Sequence, residues 1–356
     1  MPSIHLVLIT FALSGIAGAQ SFDCNLAKSP REHAICSREE LGVLDGGVST
    51  AYKALRAQLS GASAALVQSD QREWLHWLEL VCPANGKGIA DDINRCLSRE
   101  YTSRERDLKQ FVRIGGMRLF LRSHFIYKPA GPNEERFADN DPGFGYGALR
   151  WPQIDIPPAQ PNPAYAKWNS AVKNRAAKLA VGITPDAAGG TFDNAVGASG
   201  TIEEFYVIEA ANDRLIDVSL INSSYGWGAA HPLTSRSSFL WWLDRNRELA
   251  ISDIFIPQSA WEDKLAASAA RNLRTQRAFE GIVSADDEVV KETVSRPGTW
   301  TLTRDRLTIT FGQYAIGPYS AGMPEAHVSW TDLKSCLAPD FQPTTLPAFS
   351  SKSDAR

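Results

Sequence analysis

The chain has few of the residue patterns with which enzymes hold metals, phosphates or covalent intermediates. It contains six histidines, and none of them lies in a His-x-x-x-His or His-Glu-x-x-His spacing, which excludes the common zinc-hydrolase motifs. No glycine-rich loop carries the lysine of a phosphate-binding motif, and Gly317 is one position too far from Ser320 for a nucleophile elbow. The sequence therefore predicts no metal, no cofactor and no catalytic residue, and we expect a protein that is not an enzyme.

An excess of charge of one sign is also absent. Lysine and arginine total 37 against 40 aspartates and glutamates, for a net charge of −3, and the two signs are interspersed. Such a balance lacks the basic patch with which proteins bind the phosphates of nucleic acids. We therefore expect no nucleic-acid partner.

Long apolar runs are missing after residue 19, so no later segment is expected to insert into a membrane. Residues 1–19 differ, because an apolar core from Leu6 to Leu13 is followed by the small residues Ala17-Gly18-Ala19, although no Lys or Arg precedes the core. This pattern predicts a signal peptide. With it we expect a soluble protein that is periplasmic or secreted.

Four of the five cysteines lie within the first hundred residues, directly behind this signal. No pair has the Cys-x-x-Cys spacing of a metal site, whereas disulfides persist in exported proteins. Four cysteines allow three pairings, and the spacing alone does not decide among them. We favour Cys24–Cys36, which would pin the amino-terminal arm to the first helix, and Cys82–Cys96, which would close the turn between helices two and three. The role of Cys336 is left open.

The first hundred or so residues have a helical pattern. Apolar residues recur at three- and four-residue spacing over 41–59, 67–81 and 93–111, which predicts three helices. Their core would be small, so the two disulfides would supplement it by constraining the unfolded chain. The sequence thus predicts a small disulfide-stapled all-α domain over residues 20–113.

The pattern changes over residues 117–338, where strands and helices interleave. We predict strands at 118–127, 151–156 and 237–243, helices at 163–179 and 260–279, and hairpins of 202–211 with 215–221 and of 300–303 with 307–311. Pro152 suggests that the strand at 151–156 is an edge strand. In the last hairpin, Leu302, Leu307, Ile309 and Phe311 are expected to face inward. No regular βαβ rhythm appears, so we expect a larger α+β domain with a mainly antiparallel sheet. The polar, proline-bearing tail over 339–356 is predicted to be disordered.

Several residues of the helical module match the pattern of a known family. They are Phe22-Asp23-Cys24, Glu32, Ile35-Cys36, Leu44-Asp45, Tyr52, Gln71-Arg72-Glu73-Trp74, Cys82, Cys96, Tyr101, Arg104 and Leu108. From Ser21 to Val112 the chain resembles the LprI-type lysozyme-inhibitor domain, although it lacks the lipid-anchoring cysteine of the named type. The resemblance implies a small exported helical domain whose partner is c-type lysozyme. We expect Trp74 and Leu108 to be core residues, and Asp45 and Arg104 to form ion pairs or caps.

The second region also resembles a known domain. The matching segments are Tyr225 to His231, Leu249 to Phe255, Leu307 to Phe311, Tyr314 to Gly322 and Val328 to Leu333. Between Arg150 and Leu337 the chain resembles the RsiV-like carboxy-terminal domain, which also occurs in the deacetylase PdaC type. RsiV is a membrane anti-sigma factor whose exterior domain binds lysozyme. The histidines of the deacetylase are missing here, so the resemblance implies binding and no catalysis.

Two turns of this second region are the candidate partner-binding sites. Tyr225, Trp227 and His231 lie on the first, and Tyr314, Tyr319 and Ser320 lie on the second. Tyrosine and tryptophan are the side chains that make protein contacts most efficiently. The structural alternative for the second turn is a corner that packs against the sheet. A loop over 133–146, which combines acidic and aromatic residues, would suit a cationic partner.

Because both regions resemble lysozyme-linked families, we expect an exported lysozyme inhibitor that protects peptidoglycan by occluding the lysozyme cleft. The alternative is a cell-envelope module that binds peptidoglycan or another glycan directly. In that case Trp227, Trp241 and Trp242 would be the surfaces on which sugar rings stack.

Overall fold

The computed structural model describes residues 20–83, 88, 92–131, 141–180, 200–276, 279 and 287–347. The predicted signal peptide lies outside these ranges. Within them, none of the helices has the length and hydropathy of a membrane span.

The described part of the first module contains four helices instead of the three predicted. They are α1 (Pro30–Ser37), α2 (Glu39–Gln58), α3 (Gly61–Val81) and α4 (Ile93–Leu108). The additional helix is α1. It begins in a capping box, in which the Ser29 hydroxyl accepts from the Glu32 backbone N–H while the Glu32 carboxylate accepts from the Ser29 N–H. The all-α character of the module is confirmed.

The cysteines of the module pair as Cys24–Cys36 and Cys82–Cys96, each with 5.7 Å between the Cα atoms. These are the pairs that the sequence analysis favours. The first disulfide fixes the amino-terminal arm to α1, and the second connects the end of α3 to the start of α4. Cys336 is a buried free thiol.

The prediction that the last helix of this module extends to residue 111 is wrong. Helix α4 ends at Leu108, and Phe111–Ile114 forms strand β1. This strand pairs with β2 (Met117–Pro129) across a tight turn in which Gly115 and Gly116 have φ values of 54° and 80°. Only glycine adopts such angles without strain, so the glycine pair reverses the chain. Residues 111–114 are therefore part of the sheet and not of the last helix.

The described strands of the larger region form a seven-stranded sheet with the order β1 to β7. The remaining strands are β3 (Phe144–Ile154), β4 (Gly200–Ala211), β5 (Leu215–Gly226), β6 (Leu233–Trp242) and β7 (Arg247–Glu248). Only the β3–β4 pair is parallel, and it extends over Tyr146–Ala148 of β3 alone. The edge position suggested by Pro152 is wrong for the strand as a whole, since β3 lies between β2 and β4, but at Pro152 itself β3 pairs only with Leu121 of β2.

Two further layers complete the α+β region. Helix α5 (Pro163–Ala180) packs Trp168 and Val172 against the sheet, where they join a core cluster with Val218 and Phe239. A second sheet contains β8 (Trp300–Leu302), β9 (Arg306–Thr310) and β10 (Glu325–Ser329). Around it lie α6 (Trp261–Arg274), α7 (Glu288–Val294) and α8 (Trp330–Leu333). The mainly antiparallel α+β fold is confirmed.

The second hairpin and the tail differ in how well they could be predicted. Leu302, Leu307, Ile309 and Phe311 are all fully buried, as expected. The tail, by contrast, is packed in its described part: Phe341 and Leu346 are 9% and 1% exposed and belong to the same core cluster. Disorder is therefore wrong for residues 339–347, because two large apolar side chains fix this segment. Residues 348–356 lie outside the described ranges.

The helical module is fixed to the sheet by a buried polar interface. The Asp70 carboxylate of α3 accepts hydrogen bonds from Arg122 Nε at 2.8 Å and Nη2 at 3.0 Å, and from the Ser123 backbone N–H at 3.1 Å. Arg104 of α4 donates to the Ser123 hydroxyl at 2.9 Å, and Trp77 donates its indole N–H to the Ile126 carbonyl at 2.9 Å. Arg104, expected to form an ion pair or a cap, instead hydrogen-bonds Gln71 of its own module and Ser123 of the other.

Candidate functional site

The six predicted partner-binding residues lie in two groups around the β5–β6 connection. In the first group, the rings of Tyr225 and Trp227 meet edge to face with their centroids 5.9 Å apart. The Trp227 indole N–H donates to the Phe144 carbonyl at 3.2 Å, and its ring lies 6.0 Å from that of Tyr146. Gly228 has a φ of 82° and lets the chain turn back toward β6. Both side chains are half-buried, so the first group is partly a packing element.

The first group continues inward as a row of aromatic rings. Tyr146 lies 6.2 Å from Trp77 of α3, and Trp77 lies 5.3 Å from Phe125 of β2. The row therefore links the β5–β6 turn to the helical module. Trp77 is 3% exposed because the sheet covers it.

The second group is a stacked set of rings at the surface, which we call the His231 cluster (His231, Tyr314 and Tyr319). The imidazole of His231 stacks on Tyr319 with the ring centroids 3.8 Å apart. The Tyr314 hydroxyl lies 2.9 Å from His231 Nε2, and His231 Nδ1 lies 3.2 Å from the Pro232 carbonyl. Both ring nitrogens of His231 therefore lie within hydrogen-bond distance of a polar partner. Ser320 is exposed beside the cluster.

The backbone at Tyr314 is unusual, because its φ of 64° is in the left-handed region. A bulky residue in that region is strained by about 1–3 kcal/mol, and such residues concentrate at functional positions. The position is fixed by its neighbour, since the Gln313 side chain accepts from the Thr234 backbone N–H at 2.8 Å. Tyr314 is 52% exposed, although its ring contacts those of His231 and Tyr319.

Sequence reasoning missed one residue of this surface. Leu233, the first residue of β6, is 56% exposed and directly precedes Thr234, the residue bonded to Gln313. An apolar residue at the start of a strand looks like a core position in sequence, and nothing in the pattern marks it as exposed. Leu233 and Tyr314 are therefore the two most exposed large apolar or aromatic side chains named at this surface.

The acidic and aromatic loop is described only in part. Residues 133–140 lie outside the described ranges. Asp141 is 5% exposed and accepts from the Gly143 backbone N–H at 2.7 Å, which is a turn-forming contact. Phe144 belongs to β3, where its ring lies 4.9 Å from that of Tyr127.

The tryptophans proposed for sugar stacking are not available, with the exception of Trp227. Trp241 and Trp242 are 5% and 4% exposed. Trp241 packs 5.6 Å from Phe239 in the core beside α5, and Trp242 donates its indole N–H to the Asp253 carboxylate at 3.1 Å. The prediction that these two rings form a glycan surface is therefore wrong, because both faces of the sheet are covered at that position.

Two buried carboxyl groups lie in the sheet, away from both surface groups. Neither oxygen of Glu204 has a hydrogen-bond partner, and burial raises the pKa of this carboxyl to about 9, with the Asn222 amide opposing the shift. Burial also raises the pKa of Asp217, which accepts from the Leu302 backbone N–H at 2.9 Å. Sequence reasoning missed both residues. Within the described ranges, no group of three or more His, Cys, Asp or Glu is placed to hold a metal ion.

Comparison with known families identifies both regions. Residues 24–108 match the family model described as lysozyme inhibitor LprI. Residues 252–331 match the model of a protein family of unknown function, DUF3298. The chain carries an LprI-type module followed by a DUF3298-type region. Neither family is known as catalytic, and the LprI match supports a lysozyme-inhibitor-like role.

Solved structures of DUF3298 proteins are similar to the chain in part. One from Pseudomonas aeruginosa has 16% sequence identity and a TM-score of 0.43, and covers 63% of this chain and 96% of its own. Another, from Bacteroides fragilis, has 12% identity and a TM-score of 0.44, with 64% and 96% covered. Comparison with the curated proteins found no match.

Three of the six candidate partner-binding residues lie within a range that a family model matches. Tyr314, Tyr319 and Ser320 lie inside the DUF3298-type range, whereas Tyr225, Trp227 and His231 precede it. In the LprI-type module, the motif residues Gln71 and Trp74 face inward, since Gln71 accepts from Arg104 at 2.9 Å and Trp74 is 1% exposed. These two motif residues therefore hold α3 against α4 inside the module.

Proposed function

We propose that this chain is an exported lysozyme inhibitor that binds c-type lysozyme and protects peptidoglycan. The observation that carries the proposal is the LprI match over residues 24–108, which fold as a disulfide-linked helical module. Disulfides persist outside the reducing cytosol, so the module is consistent with an extracellular protein. We place the protein in the periplasm or outside the cell.

The His231 cluster is our proposed contact for the lysozyme cleft. Aromatic side chains bury a large area while losing little side-chain entropy, which makes them efficient anchors in protein interfaces. Lysozyme hydrolyses its substrate with two carboxyl groups. The exposed hydroxyl of Ser320, or the imidazole of His231 after it exchanges its contact with Tyr314, would donate to these carboxyl groups and exclude substrate. Tyr225 and Trp227 would contact the rim of the cleft.

Inhibition of lysozyme by the purified protein tests the proposal. We expect micromolar protein to slow the lysis of cell-wall substrate by hen lysozyme, with the inhibition saturating as a complex forms. Sedimentation with purified sacculi in the absence of lysozyme should recover little protein. If lysozyme retains full activity at micromolar protein, the proposed function is wrong. Recovery of the protein with the sacculi would instead favour the glycan-binding alternative.

The variant Tyr314→Gly tests the contact surface separately from stability. Glycine adopts a φ near 64° without strain, so we expect the free energy of unfolding to stay constant or to rise by up to about 1 kcal/mol. Lysozyme affinity should nevertheless fall about tenfold, because the half-exposed ring is lost. Phe205→Ala is the matched control, since Phe205 is an aromatic residue that is 41% exposed on strand β4. Equal losses of affinity in both variants would contradict a contact at the turn.

A further inference from the structure

The helical module has one covered side and one free side. The sheet covers α3, whose Asp70 and Trp77 contact β2, and it covers the inner face of α4 through Arg104. The outer face, formed by α2 and α4, meets the sheet only at one end in the described residues, where Phe111 of β1 lines it and Arg118 of β2 donates to the Gln58 carbonyl. Any partner of the LprI-type module therefore has this face available, whereas Trp74 and Trp77 of α3 are buried.

A groove runs along this free face between α2 and α4. It has two adjoining parts with volumes of about 520 and 580 Å³, and both are lined by Val43. Val43 is 56% exposed and lines both parts of the groove. Gly47 lets α4 approach closely, because a Cβ at this position would lie 2.8 Å from a carboxylate oxygen of Glu105.

The lining of the groove is acidic. Glu39, Glu40 and Glu105 supply carboxylates, whereas Lys109 is the basic residue that lines it. Lys109 Nζ pairs with Glu105 at 2.7 Å. Glu39 and Glu40 have no ion pair with any residue in the described ranges and are exposed at the start of α2. An exposed apolar side chain beside two unpaired carboxylates suits a cationic protein surface.

We propose that this α2–α4 groove is a second docking surface for lysozyme, a cationic protein. This inference rests on the proposed function. The LprI match covers residues 24–108, which include Val43, Glu39 and Glu40, and the motif residue Leu44 also lines the groove. An aliphatic side chain of lysozyme packs against Val43, and a lysine or arginine beside it pairs with Glu39 and Glu40.

Three variants of the full exported chain test this surface against hen lysozyme. Val43→Arg places bulk and positive charge in the groove, and we expect the Kd to rise at least tenfold. Glu39→Gln combined with Glu40→Gln removes charge without bulk, so the association rate should fall a few-fold and depend less on salt. Leu26→Arg is the matched control, because Leu26 is 69% exposed on the same module outside the groove lining. Its Kd should stay within twofold of the parent.

The outcomes separate this inference from the proposed function. If the parent binds lysozyme and Val43→Arg binds equally well, the groove is not a contact and the inference is wrong, while the proposed function stands. If Val43→Arg and Leu26→Arg lose affinity equally, the effect is general repulsion and the groove is again excluded. If the parent does not bind lysozyme, the proposed function fails and the inference falls with it. Thermal unfolding of each variant, unchanged from the parent, confirms that the module is folded.

Discussion

The burial of Glu204 changes the protonation state of its carboxyl group at neutral pH. It lies on β4 directly opposite Asn222 of β5, is 0% exposed, and has no hydrogen-bond partner for either carboxyl oxygen. Removing a charged carboxylate from water costs far more than removing a neutral acid. Burial therefore raises the pKa of Glu204 to about 9, and the folded protein retains this proton at neutral pH.

The variant Glu204→Gln tests this proton. The folded pKa is raised from 4.5 to about 9, so between these values the native state binds more protons than the unfolded state. The contribution of Glu204 to the free energy of unfolding must then fall as the pH rises, by up to about 1.4 kcal/mol per pH unit. Glutamine does not titrate. Urea unfolding at pH 5 and pH 8 should show the variant gaining stability relative to the parent at the higher pH.

A difference between variant and parent that stays constant from pH 5 to pH 8 would contradict a raised pKa. Asp253→Asn is a useful comparison, because the pKa of Asp253 is lowered by Arg247 and by the Ala250 N–H, although burial opposes the shift. Its stabilisation is therefore present above the unfolded pKa and is lost in acid. From pH 5 to pH 8 the difference between Asp253→Asn and the parent should therefore stay constant, while the difference for Glu204→Gln changes.

Individual residues could be predicted from sequence where the cause is local. The cysteine pairs have short separations of 12 and 14 residues. The Asn162 side chain caps α5 as the Asn-Pro pair suggests, accepting from the Ala164 N–H at 3.0 Å. The left-handed backbone of Tyr314 and the burial of Glu204 could not be predicted, because both depend on residues distant in the chain.

At the scale of elements, the contact between α3 and β2 depends on one buried ion pair. Asp70 and Arg122 have side chains that are 6% and 14% exposed. Removing one member of such a pair leaves an uncompensated buried charge, which costs about 3–5 kcal/mol. We expect Asp70→Ala to lower the free energy of unfolding by that amount, measured by urea denaturation. Combining it with Arg122→Met should recover much of the loss, since the orphaned charge is then removed.

An exposed ion pair provides the control for this experiment. Glu292 and Arg296 form an i,i+4 pair at the end of α7, with side chains 63% and 56% exposed. Glu292→Ala should change the free energy of unfolding by less than about 1 kcal/mol, because water screens exposed pairs. A similarly small loss for Asp70→Ala would show that the two elements do not depend on the buried pair.

Helices and strands were predicted best where apolar residues recur at regular helical or strand spacing. The helices over 41–59 and 67–81 and the hairpin at 300–311 correspond closely to α2, α3 and β8–β9. Strand β1 was missed because its four residues continue the helical pattern of α4 in sequence. The Gly115-Gly116 turn that follows β1 reverses the chain. The four residues then pair with β2 as a strand, although their apolar pattern continues that of the helix.

At the scale of the whole molecule, the two modules share one core. A single cluster of buried residues combines Trp74 and Leu97 of the helices with Phe120 and Phe125 of β2 and Phe144 of β3. The sequence suggests two separate domains, because many residues at the contact between the modules are polar, as residues on a protein surface usually are. The structure places those polar side chains, including Asp107 and Arg150 at 2.6 Å, inside the interface.

This shared core predicts that the chain unfolds as one unit despite its two family matches. The helical module alone would expose Trp77, and it would leave Asp70 and Arg104 without their partners Arg122 and Ser123. Each of these losses costs a few kcal/mol, which is comparable to the entire stability of a module this small. Thermal unfolding followed by tryptophan fluorescence and by far-ultraviolet circular dichroism should give one coincident transition. A fragment of residues 20–109 should lack a cooperative transition, and two separate transitions in the full chain would refute the shared core.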